Sequence, residues 1–281
     1  DCGTLREVLK HREVQSVTQC DIDEQVTRMA EKYFPELCES NGDARAEILF
    51  DEQRAATGVR YQRPDLTGYD TVSARREVIL CAGAIDTPKL LMLSGIGPTA
   101  HLRELGIEVR VDSPGVGANL DDHVEGLVFW EAARPMVTTS TQWWEIGLFT
   151  CIDDGVTQPD LMMHYGSVPF DMNTLRRGYP TTDNGFCLTP NVTQGRSRGT
   201  VRLRTRDFRD RARVDPQYFT DPDGYDERIM LAGLRLARDI AAREPLRDWV
   251  SRELAPGPEA VTDDELLREV MNTVGKKGKL G

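Results

Sequence analysis

Few residues in this chain have the types and spacing that chemistry needs. His164 lies in Leu161-Met-Met-His-Tyr-Gly166, a run with strand character. Alternate residues of a strand share a face, so His164 and Met162 are expected to point together. A histidine there serves either as a proton-transfer group or as a hydrogen-bonded core residue. His11 and His101 read as ordinary surface positions. Glu125, Trp143 and Trp144 read, on residue type alone, as structural, because aromatics usually pack cores. Asp21 ends a strand-like run and is placed to hold ribose hydroxyls, although Asp23 beside it suits helix capping. No His/Cys/Asp/Glu spacing resembles a closed metal site, so no metal is expected. Neither a Gly-x-Ser-x-Gly elbow nor a Gly-x-Gly-x-x-Gly turn is present.

The elements that must position these groups centre on Gly83-Ala-Ile-Asp-Thr-Pro-Lys-Leu-Leu-Met-Leu-Ser-Gly-Ile-Gly97. The apolar run Arg76–Ala82 before it predicts a buried strand. Thr87 is expected to cap a helix with Pro88 at its first position, Leu90, Leu91 and Leu93 on its apolar face, and Gly95 and Gly97 as its stop. A strand, a small-residue turn and a helix in that order let the backbone approach a large ligand. Around this unit, Ile48–Phe50 and Ala56–Tyr61 read as paired strands and Asp70–Ala82 as the next. A helix near Ala100–Leu105, a strand Ile107–Val111 and a loop Ser113–Asn119 follow. Residues 126–134, 161–167 and 199–205 have strand character, with loops at Asp171–Asn184 and Gly195–Gly199 between them. Asp221 opens a helix to about Ala242, Pro256–Thr262 reads as a linker, and a last helix begins near Asp263.

The Gly83–Gly97 run resembles the second signature of the glucose-methanol-choline (GMC) family of FAD-dependent alcohol oxidoreductases. Ser140-Thr-Gln-Trp-Trp-Glu-Ile-Gly147, Pro159–Leu175 and Val214-Asp-Pro-Gln-Tyr-Phe-Thr-Asp-Pro222 resemble its choline-oxidising members, over about residues 47–265. The resemblance implies an α+β chain with an α/β part: half of an FAD-binding domain, then a substrate domain of antiparallel sheet flanked by helices. It implies FAD as cofactor, held in part at Ala82 and Gly83, and choline or a related alcohol as substrate, oxidised by hydride transfer to the flavin. Glu125 matches the glutamate that faces the trimethylammonium head, which needs a negative charge and aromatic faces because it cannot donate a hydrogen bond. Trp143 and Trp144 are read as aromatic surface for that head, with Trp144 the expected binding residue, and His164 matches the histidine near the substrate hydroxyl. His123 matches a position supporting the flavin-side loop. The family has glutamine and proline where this chain has Asp121 and Val124.

Two ends depart from that pattern. Residues 1–43 resemble the nucleotide-binding region of spermidine synthases, and 266–281 a short segment of the helicase-like subunit of type III restriction enzymes. The domain expectation is therefore 1–43, a partial FAD-binding domain at 44–124, a substrate domain at 125–265 and an unrelated tail at 266–281. Without the Gly-x-Gly-x-x-Gly turn and the family's C-terminal catalytic histidine and asparagine, the 281 residues are expected to be inactive alone. The other readings are a non-catalytic binder of quaternary ammonium compounds and a mosaic reading frame without a selected function.

Composition bounds the partners. A net charge of −11 argues against nucleic acid and anionic membranes. No apolar run is long enough to span a bilayer and no signal-peptide pattern is present. Six widely spaced cysteines fit reduced thiols, hence a cytoplasmic expectation. Asn191-Val-Thr193 matches a glycosylation acceptor and reads as chance. A homodimer is implied by the family alone.

Overall fold

The computed structural model describes residues 45–50, 55–62, 67–136, 142–144 and 146–274. The expectations for Asp21, for His11 and for the helices and strand within residues 1–43 lie outside the described residues, as do those for Gly275–Gly281. The backbone divides into two compact units. One takes in Asp1–Leu120 and Thr200–Val214, the other Asp121–Gly199 and Asp215–Gly281.

In the first unit β1 (Arg45–Phe50), β2 (Ala56–Gln62) and β3 (Tyr69–Ser73) form an antiparallel sheet in chain order. The pairing of the first two matches the sequence expectation. The strand expected over Arg76–Ala82 does not form: among the described residues nothing pairs with it, and Ile79 is exposed. An apolar run becomes a strand only where a neighbour takes its backbone groups. Helix α1 (Gly83–Leu93) starts four residues ahead of Thr87, with Ala82 at the cap position. Thr87 still works at this end, since its Oγ1 accepts the Ala82 N–H at 3.0 Å. Pro88 sits inside the helix, where it removes one backbone bond. The stop is as expected: Gly95 adopts φ +86, and a Cβ there would meet the Glu108 carbonyl oxygen at 2.5 Å.

Beyond it, β4 (Ile96–Gly97), α2 (Thr99–Glu104) and β5 (Val111–Asp112) follow, with β4 and β5 parallel. The strand expected at Ile107–Val111 shrinks to this two-residue contact. Met92, Leu102 and Leu203 form a small core. His101 is not a plain surface residue: it is half-buried, and its Nε2 accepts the Leu203 N–H at 3.1 Å. Lys89, buried in α1, donates to the Phe208 carbonyl at 2.7 Å.

The second unit is built on β6 (Val124–Glu125), β7 (Val128–Ala132), β8 (Ile146–Thr150), β9 (Leu161–Gly166) and β10 (Gly185–Val192), with a short helix α3 (Met172–Leu175). A short pair, β11 (Thr200–Arg202) and β12 (Arg213–Asp215), follows in the chain. Then come α4 (Tyr225–Ala241), β13 (Val250–Ala255) and α5 (Asp263–Val274). The antiparallel sheet runs β13-β7-β10-β9-β8, with β6 also on β10.

One face of this sheet carries the core. Val128, Trp130, Leu161, Met163, Phe186, Leu188 and Val192 meet Ile229, Met230, Leu234, Ala237 and Ala241 of α4. Each fully buried large side chain there contributes about 1.5–3 kcal/mol. Helix and sheet approach closely at Gly233, where a Cβ would lie 2.7 Å from Pro190 Cβ and 2.8 Å from Leu161 Cδ1. Leu266 and Val270 of α5 join the same core, so the expected 265/266 boundary falls within a helix packed on the second unit's core. Residues 256–262 are more than a linker. Arg238 pairs with Glu253 through both carboxylate oxygens, at 3.0 and 2.6 Å, and donates to the Ala260 and Gly257 carbonyls.

Candidate functional site

The site is built on β9 and β10. Leu161 and Met163 point into the core, so Met162 and His164 fall on the opposite face, as the alternation predicted. Register places Thr189 opposite His164 and Asn191 opposite Met162. On its other side Asn191 stands opposite Glu125. One row across the sheet therefore reads Glu125, Asn191, Met162, and the next carries Thr189 and His164.

Pro190 explains a break in this arrangement. In an antiparallel strand a residue's N–H and C=O point to the same side. The Pro190 carbonyl accepts the Gly126 N–H at 2.7 Å, and proline has no donor to return. The ladder is interrupted there, leaving β6 and β7 as separate strands on one partner. Glu125 stands at that break and is half-buried.

Asn191 meets Glu125 from the neighbouring strand. Its Nδ2 donates to the Thr189 carbonyl at 2.9 Å and, in a longer contact, to Glu125 Oε1 at 3.4 Å. Trp144 covers the other end of the face. Its ring meets His164 edge-on at 6.1 Å between centroids and Phe170 at 5.0 Å, nearly perpendicular in the latter case. Gly166 lets it sit there, because a Cβ would come within 2.8 Å of the indole and 2.7 Å of Cys187 Sγ. Cys187 lies on the same face, and its thiol is pushed up to about 12, first by burial and then by the Glu125 charge. It stays protonated and unreactive at neutral pH.

Glu125, His164 and Trp144, expected as site residues, thus share one face of one sheet. Trp143 does not join them and is exposed. Asn191, Thr189, Cys187 and Phe170 were not anticipated. Asn191 had read only as a chance glycosylation match, and its 5 % exposure in a central strand closes it to that modification. The signal that could have found Asn191, Thr189 and Cys187 is the alternation along β10, hidden because all eight of its residues are buried.

Ala82 and Gly83 belong to the first unit. Gly83 adopts φ +75 at the start of α1, and nothing lies within 4 Å of where a Cβ would stand. This exposed turn gives backbone N–H groups and open space for close approach of a large group.

Comparison with known proteins agrees with this architecture. Two models described as GMC oxidoreductase match residues 9–125 and 195–277. They run across most of 1–43 and part of 266–281, the segments that the sequence reading had set apart. Choline oxidase of Arthrobacter globiformis is 64% identical over 231 residues, covering 81% of this chain and 42% of its own length. The oxygen-dependent choline dehydrogenase of Rhizobium rhizogenes is 32% identical over 246 residues, covering 78% and 43%. The chain spans under half the length of these relatives. Among solved structures, pyridoxine 4-oxidase from Mesorbium loti superposes with a TM-score of 0.71 at 26% identity, over 85% of this chain and 47% of that one. With both family models matched, this chain belongs to the GMC oxidoreductase family.

Proposed function

We propose that the face carrying Glu125, His164 and Trp144 binds choline or a closely related alcohol, as the substrate half of an FAD-dependent oxidation. The observation that carries this reading is the shared face: a carboxylate in one row, an imidazole in the next, and an aromatic wall beside both. Glu125 supplies the charge that a quaternary ammonium requires, and Asn191 orients that carboxylate. Trp144 and Phe170 pack edge to face and present an aromatic wall on the far side. His164 offers a ring nitrogen to the hydroxyl proton.

The family implies FAD, and the Gly83 turn fits it, with open space and a helix start turned to solvent. Ala82 and Gly83 would hold part of the group, which accepts a hydride when bound. Catalysis by these 281 residues alone is outside this reading, since they contain no Gly-x-Gly-x-x-Gly turn. A second reading, a binder of quaternary ammonium compounds without turnover, draws on the fact that Glu125, His164 and Trp144 all lie within one unit.

The test is a visible spectrum after incubation with excess FAD and gel filtration, paired with calorimetric titration of choline. Retained flavin that bleaches anaerobically with choline supports the oxidase reading and overturns the expectation that these residues are inactive alone. Choline binding without flavin supports the binder. In either case Glu125→Gln should weaken choline about tenfold, roughly 1.4 kcal/mol. Absence of choline binding by the parent chain defeats both.

A further inference from the structure

Thr189 is 0 % exposed, and its Oγ1 is buried without a hydrogen-bond partner among the described residues. Its neighbours on β10, Leu188 and Val192, belong to the core beneath the sheet, whereas Thr189 does not. Alternation puts it with Cys187 and Asn191 on the face that carries the site. The backbone carbonyl of Thr189 is taken by Asn191 Nδ2, but its hydroxyl is left over. A buried hydroxyl without a partner is destabilising, and valine would fill the same volume without that cost.

The position of this hydroxyl matters. Thr189 stands directly opposite His164 and two residues from Asn191, which faces Glu125. Two residues of antiparallel strand span about 7 Å. A cation seated at Glu125 and carrying an oxygen two carbons away would bring that oxygen to the row of Thr189 and His164.

We propose that Thr189 donates its hydroxyl hydrogen to the oxygen of a two-carbon amino-alcohol ligand, and so makes this face select oxygen-bearing quaternary ammonium compounds over oxygen-free ones. The inference rests on the choline-class reading of the same face. It adds a specificity contact in which the hydroxyl binds ligand and transfers no proton.

The experiment titrates the full chain with choline and with ethyltrimethylammonium, the same cation with hydrogen in place of the hydroxyl. The parent chain should prefer choline. Thr189→Val should weaken choline about three- to tenfold. It should leave ethyltrimethylammonium unchanged and keep or raise the thermal midpoint. Thr189→Ser, which retains the hydroxyl, should retain the preference. If valine does not fold, Thr189→Ala is read against the same two ligands. Equal loss of both ligands, or no loss of either, overturns the specificity role. A parent chain that binds neither ligand overturns the choline-class reading itself, and that result is seen before any variant is made.

Discussion

His101 accepts the Leu203 N–H through Nε2, so that nitrogen must be unprotonated for the bond to exist. Burial lowers its pKa, the Arg202 guanidinium lowers it further, and Glu104 only partly opposes them. A histidine whose folded pKa is depressed takes up protons more readily when unfolded. Its contribution is therefore present above the ordinary value of about 6.5 and lost as pH falls from there through the folded pKa. Urea midpoints of the parent chain should decline below about pH 6.5. His101→Gln, which can place an acceptor oxygen near the same spot without titrating, should flatten that decline; an unchanged profile would remove His101 as its cause. No signal in the sequence separated this histidine from His11, because its partner lies 102 positions away. His164 was legible for the opposite reason: its face follows from local alternation.

Helices were the most legible elements. Both α4 and α5 begin within a few residues of where the sequence reading places them, near Asp221 and Asp263. The strand β10 was not legible. Gly185, Pro190 and Asn191 are residue types that strands disfavour, yet β10 is the central strand, and Pro190 is accommodated by interrupting β6 and β7. That accommodation depends on a partner strand some 60 residues earlier, which no local pattern encodes. The packing of α5 was likewise not legible, since the sequence reading set residues from 266 onward apart. Leu266 is fully buried in the sheet–helix core, so Leu266→Ala should cost about 2–5 kcal/mol. Denaturant unfolding followed by tryptophan fluorescence would measure this, since Trp130, Trp143, Trp144 and Trp249 all lie in the second unit. A loss below about 0.5 kcal/mol, the size of a surface effect, would place α5 outside the core.

At the scale of the molecule, the chain crosses between its two units more than once, since Thr200–Val214 belongs with the first. A division into consecutive segments could not express that return, because contacts and not order along the chain define a unit. Family membership was legible from Gly83–Gly97, a run whose turn chemistry is nearly independent of what surrounds it. The strap at 256–262 has a consequence for handling the protein. It is rich in proline and glycine and leaves Glu259 exposed, which would ordinarily invite cutting. Arg238 ties it down at two carbonyls while gripping Glu253 with a planar fork. A glutamate-specific protease should therefore nick the parent chain slowly at Glu259. Arg238→Lys, which cannot reproduce the fork, should speed that nick about tenfold or more. Cleavage would then report local opening of the strap, well before the body of the sheet comes apart.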